Sequence, residues 1–322
     1  MICSNVIFAR PTLGPPSINL RSSLANIVVV RLSEISTENK LIFKKVRDLH
    51  NKSEDIIIIN SNPKIASSLE LEKQYIIAYL AWKKTRRPIK VFPRPGGSVL
   101  INIAGAQPAI YSYSQSIEKL LTWKMKESLE SPKQMLITIM SEIDNNDSQI
   151  QDFFVTELIT RKNIHQWLKE SDYQRIIKVL ESPSTKPIIK EFILANINFM
   201  SNHISDDKLY SILINILNTT DTQFDIFSYR ATLIRTSLVK IRDFKERIDS
   251  KSLIKWLYSN NNGVIESSLD SMRIINPKGY LNDIDVVLKQ TSLSKKARTT
   301  IENYKNRMSK NIIITSGGEN ES

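Results

Sequence analysis

Residues 25–60 read ANIVVVRLSEISTENKLIFKKVRDLHNKSEDIIIIN, and the folding of this stretch decides the architecture of the first third of the chain. The β-branched run Val28-Val29-Val30 inside Ala25–Leu32 predicts a strand. Ser36 or Thr37 is placed to cap a helix through about His50, because Leu41, Ile42, Lys45, Val46 and Leu49 recur at spacings of three and four. Asp55–Asn60, with four consecutive isoleucines, predicts a second and buried strand. Strand, helix and strand in this order suffice for one βαβ unit.

Working outward, residues 1–24 read as an extended N-terminal arm, since Pro11, Gly14, Pro15 and Pro16 crowd together there. A further helix is expected over 64–84, carrying Leu69, Tyr75, Ile76, Tyr79 and Leu80. Arg87-Pro88 ends it, because a proline disfavours helical geometry in the residue before it. Residues 25–87 therefore form a small α/β region. Residues 88–114 change character: Pro95-Gly96-Gly97 supplies a turn, and Ser98–Ala104 and Ala109–Tyr113 are β-prone, so a hairpin or extended arm is expected.

From 115 to 309 the pattern is helical, with short breaks at Pro132, Pro183, Pro187, Asn262-Gly263 and Pro277 with Gly279. Ser205, Ser250 and Ser294 are N-cap candidates. Residues 310–322 read as a tail. The expected fold is mainly α, a helical bundle or stacked helical array, preceded by a smaller basic α/β segment. Trp123, Trp167, Tyr210 and Trp256 lie 44, 43 and 46 residues apart, each in an amphipathic string such as Ile164-His165-Gln166-Trp167-Leu168 or Leu253-Ile254-Lys255-Trp256-Leu257. Over about residues 115–300 this period resembles the HEAT/armadillo class, whose helical units span roughly forty residues. The resemblance implies a curved scaffold that binds a partner along one face.

Charge is unevenly spread. The net charge is +12, yet residues 1–114 hold 16 Lys/Arg against 7 Asp/Glu, residues 115–277 are balanced, and residues 278–310 hold 8 against 3. Such asymmetry points to an anionic partner met by the two ends. The densest segment contains Lys83, Lys84, Arg86, Arg87, Lys90 and Arg94 without an acid. Arginine offers a planar fork for phosphate oxygens, and Phe92, Tyr111 and Tyr113 offer stacking platforms for unpaired bases. Lys295, Lys296 and Arg298 begin a second basic patch, and Arg235 and Arg242, seven apart, form a third set.

Catalytic signatures are absent. His50, His165 and His203 have no paired spacing, and the single cysteine, Cys3, rules out an internal disulfide framework and a Cys-rich zinc site. No cofactor is expected. No stretch approaches 18 apolar residues, so no transmembrane insertion is expected, and the cysteine usage fits an intracellular setting. The leading expectation is a non-enzymatic protein that binds RNA or single-stranded DNA through its basic segments, with the helices offering surfaces for a protein partner or self-association. The alternative is a HEAT-like protein–protein scaffold without nucleic-acid binding.

Overall fold

The computed structural model describes residues 14–22, 25–81, 98–103, 107–122, 132–225 and 228–316. The chain divides into two compact units, Met1–Val179 and Leu180–Ser322. It is mainly helical, and among the described residues the strands all lie in the N-terminal unit.

In that unit β1 (Asn26–Ile35) and β2 (Lys40–His50) form an antiparallel hairpin. The helix expected up to His50 does not form. Leu41 and Phe43 point inward and are fully buried, whereas Lys40, Ile42 and Lys44 point outward, so the working period is two. The apolar residues fitted a helical spacing as well, which is why pattern alone misassigned them. Asn39 takes a positive φ of 59° in the connecting turn, a conformation that asparagine tolerates better than most residues. Ser36 N donates to Lys40 O at 2.9 Å and closes the turn.

Next, β3 (Ile56–Asn60) pairs antiparallel with β2, so the expected βαβ unit is replaced by a three-stranded meander. A short helix, α2 (Pro63–Ala66), begins at Asn62, whose side chain accepts from Ile65 N at 3.0 Å. The chain then returns as β4 (Gln74–Leu80), antiparallel to β1. This overturns the helix expected over 64–84. Ile76 and Ala78 are buried on one face of β4 and Tyr75, Ile77 and Tyr79 on the other, which leaves a continuous apolar run without alternation.

Four short strands follow. β5 (Val99–Leu100) and β8 (Ile110–Ser112) pair in succession with β4, while β6 (Asn102–Ile103) and β7 (Gln107–Pro108) pair with each other between them. Ser98 then bridges to Ile59 in parallel: its N–H donates to Ile58 O at 3.2 Å and its carbonyl accepts from Asn60 N at 2.9 Å. The sheet order β3-β2-β1-β4-β5 is thereby closed into a barrel. Val28, Val30, Leu32, Leu41, Phe43, Ile57, Ile59, Tyr75, Ile77 and Tyr79 belong to one core cluster, joined by Ala66 and Leu69 from the β3–β4 connection.

Helices cover part of the outside. α1 (Pro16–Ser22) replaces the extended arm expected there, with Leu20 buried. α3 (Gln115–Thr122) packs on β2, and α4 (Pro132–Met140) packs on α5 (Ser148–Thr160), which packs on β8. Asp147 caps α5, accepting from Gln149 N and Ile150 N. The division between units falls within α6 (Glu170–Glu181).

The second unit contains α7 (Pro187–Ala195), α8 (Asp206–Thr219), α9 (Tyr229–Lys240), α10 (Asn262–Ile275), α11 (Tyr280–Leu288) and α12 (Lys295–Ser316), with a 3-10 segment at Ser250–Tyr258. α7 packs on α9, α9 on α10 and α10 on α12. The last three of these begin at 229, 262 and 295, a step of 33 residues, shorter than the interval of about 44 expected from the aromatics. Nor do the described aromatics share one environment: Trp167 is exposed, Tyr210 lies under Arg247 at 4.2 Å, and Trp256 is fully buried. Ser205 caps α8, and Ser294 accepts from Ala297 N at the start of α12. Ser250 does not cap; the neighbouring Asp249 does. Among the described residues, no helix is long and apolar enough to cross a membrane.

Candidate nucleic-acid interface

Among the described residues, the outer face of β2 and β3 is left exposed, and the register identifies its residues. Arg31 on β1 is opposite Lys44 on β2, which is opposite Ile56 on β3. The next rungs pair Ile42 with Ile58 and Lys40 with Asn60. Since directly paired residues share a face, all of these point away from the core. The alternation in β3 is sharp: Ile57 and Ile59 are buried at 2% and 0%, while Ile56 and Ile58 are exposed at 57% and 42%. Two exposed isoleucines beside a lysine are unusual on a small barrel in which residues 27–30 of β1 and 75–79 of β4 are buried on both faces.

The cations of this region differ in their freedom. Lys44 is exposed and has no ion-pair partner among the described residues. Arg31 Nη1 lies 3.8 Å from Glu72 Oε2, and Lys40 Nζ donates to Glu38 at 2.5 Å. Lys45 is a structural cation, held by Asp55 at 3.0 Å and Ser53 O at 2.7 Å. Arg47 clamps β2 to α3: Nε donates to Glu118 Oε1 at 2.9 Å and Nη2 to the Tyr113 hydroxyl at 3.1 Å. Hydrogen bonding to Glu118 raises the Arg47 pKa, and the same contact holds the Glu118 carboxyl below its ordinary value. Glu34 stands opposite Ile42 on β1, so this face is not itself strongly positive.

Several residues singled out from sequence have other tasks. Tyr111 is buried edge-on against Phe153, ring centroids 5.1 Å apart, and burial pushes its hydroxyl pKa well up. It has no face to offer a base. Tyr113 donates to Glu118 Oε2 at 2.9 Å and lies under Arg47, so it too is engaged. Arg242 donates to Ser271 Oγ at 2.9 Å and Ser267 O at 3.3 Å, and burial lowers its pKa. Arg235 packs over Gly263, where an added Cβ would lie 3.1 Å from its Nε. Arg298 donates to the carbonyls of Leu288 and Gln290 at the end of α11, which is C-capping. Lys296 Nζ reaches Asn260 O at 3.3 Å, and Lys295 is exposed. The structure thus does not gather these cations into one groove of the second unit.

Lys83, Lys84, Arg86, Arg87, Lys90, Phe92 and Arg94 lie outside the described residues, in the connection between β4 and β5. Sequence reading missed Arg31, Lys44, Ile56 and Ile58. The alternating burial of Ile56–Ile59 is invisible in four identical residues, and the cross-strand row exists only once 40–50 is a strand. Among the described residues no group of three His, Cys, Asp or Glu is arranged to hold a metal. No family model, curated protein or solved structure matches the chain.

Proposed function

We propose that the protein binds single-stranded nucleic acid on the outer face of β2 and β3. The observation that carries this reading is the uncovered Arg31–Lys44–Ile56 and Ile42–Ile58 rows on a small barrel of particular connectivity. A three-stranded meander, a short helix, a fourth strand returning to the first, and a parallel seam between the third and fifth strands agree with the OB class. In that class the face of strands 2 and 3, with the loops after strands 1 and 4, binds oligonucleotides and oligosaccharides.

Chemistry favours the oligonucleotide. The sequence between β4 and β5 carries six cations and Phe92, and the described chain resumes at Ser98, which is bridged to β3. Phosphates supply affinity through such cations, while exposed isoleucines meet the flat faces of bases. A duplex hides those faces, so unpaired strands are preferred. RNA and single-stranded DNA share this chemistry.

The decisive experiment is salt-titrated binding to fluorescent single-stranded RNA, single-stranded DNA and duplex DNA. Binding to single strands should weaken steeply with salt, and replacing Lys83, Lys84, Arg86 and Arg87 with neutral residues should remove most of it. No binding at low salt, or binding unchanged in that variant, sinks the reading.

A second reading concerns the helical unit. The successive packing of α7, α9, α10 and α12 supports a HEAT-like stacked array acting as a protein–protein scaffold. A scaffold would keep its partner after the lysine and arginine replacements and lose it on changes to exposed residues of the helices.

A further inference from the structure

We infer that Glu72 is a built-in competitor for phosphate at Arg31, weakening the proposed nucleic-acid interface from within; this rests on the reading of that face as a nucleic-acid site. Three non-glycine residues have positive φ among the described residues: Asn39, Asn51 and Glu72. Asparagine adopts this conformation readily because its short side chain bonds locally, but glutamate does not. Glu72, at φ 62°, therefore occupies a position that glycine or asparagine would fill with less strain.

The backbone there is pinned by the barrel. Glu72 N donates to Leu32 O at 2.7 Å and Leu32 N donates to Lys73 O at 3.1 Å, so the turn into β4 must adopt this shape whatever the side chain. The side chain itself contributes little to the fold. It is 68% exposed, and among the described residues its ion-pair partner is Arg31 at 3.8 Å, itself half exposed. Exposed ion pairs of this kind stabilise weakly. Neither turn geometry nor stability accounts for glutamate at this position, whereas its charge has a clear destination, the guanidinium at the end of the Arg31–Lys44–Ile56 row.

A carboxylate 3.8 Å from that guanidinium offsets its charge without a hydrogen bond, and competes with an arriving phosphate for it. Once a strand is bound, the same carboxylate repels the phosphate beside Arg31. The consequence is a site tuned for lower affinity and faster release than its cations alone would give. Lys73 does not cancel this effect, since its ammonium is held by Glu70 at 3.1 Å.

The test is binding of a fluorescent oligothymidylate by the full chain, by Glu72→Gln and Glu72→Gly, and by each of these in an Arg31→Ala background, with melting temperatures measured in parallel. Both single variants should bind about three- to fivefold more tightly at low salt, with the gain fading as salt screens the charge. Only Glu72→Gly should also raise the melting temperature, because it alone relieves the backbone strain. In the Arg31→Ala background the tightening should vanish. Affinity unchanged in Glu72→Gln, in a parent protein that does bind, overturns the competitor role and leaves the nucleic-acid reading intact. Tightening that survives Arg31→Ala also overturns it. A parent protein that binds no oligonucleotide overturns both.

Discussion

Glu157 on α5 and Arg161, the residue that caps its C-terminus, form an ion pair inside the N-terminal unit, with Nε 2.6 Å from Oε2. The other Glu157 oxygen accepts from Ser17 N at 2.5 Å, and Arg161 Nη2 donates to Ser17 Oγ at 2.7 Å. A seven-residue helix too short to be stable alone is thus fastened to α5 by charge-assisted bonds at its first turn. Removing one partner strands a charge away from water. Arg161→Met should cost about 3–5 kcal/mol in urea unfolding, while the joint change with Glu157→Leu should recover much of that. Equal losses in the single and double variants would contradict the picture.

The two faces of β3 should separate stability from binding. Ile57→Ala opens a cavity in the barrel and should cost about 2–5 kcal/mol. Ile58→Ala, on the exposed face, should stay within roughly 0.5 kcal/mol of the parent yet weaken single-strand binding. Chemical denaturation and the oligonucleotide titration, run on the same preparations, report both.

Asn39 tests the hairpin directly. Asn39→Gly should be tolerated, because glycine adopts positive φ freely, whereas Asn39→Val should lose about 1–2 kcal/mol through the clash of its Cβ with the backbone. Were residues 37–50 a helix, the order would reverse, since glycine is the poorer helix former. Thermal melts of the two variants distinguish the outcomes.

The Arg47–Glu118 contact has a pH signature. Arg47 holds the folded Glu118 pKa below its unfolded value, so the stabilisation is complete above the ordinary carboxylate pKa of about 4.3. It is lost as pH falls through the lower folded value. The melting-temperature difference between the parent and Arg47→Gln should therefore be level from about pH 5 to 7 and shrink below about pH 4. A gap that widens in acid would reverse the assigned sign.

What sequence reading recovered follows a physical divide. β1 was legible because Val28-Val29-Val30 is β-branched and flanked by breaks, and the helical second unit was legible because its elements repeat an amphipathic pattern between short turns. Ser205 and Ser294 were readable as caps, since capping depends on neighbours three residues away. β2 and β4 were not. Leu41, Ile42, Val46 and Leu49 satisfy a helical spacing, while the pairing that selects a strand comes from neighbours outside the segment, Ile35 across the hairpin turn and Ile59 on β3. The uncovered face failed for the same reason: Arg31, Lys44 and Ile56 meet only through register. Tyr111 was misjudged because exposure, unlike residue type, depends on Phe153.

The seam at Ser98 and Ile59 has a consequence for solubility. A strand bearing exposed isoleucines at the margin of an open sheet is a template for pairing with another chain and for aggregation. Here part of the outer margin of β3 is already occupied by Ser98. Ile58 can therefore stay exposed beside a backbone edge that Ser98 already pairs. Loss of this seam would turn an apolar ligand platform into an adhesive edge.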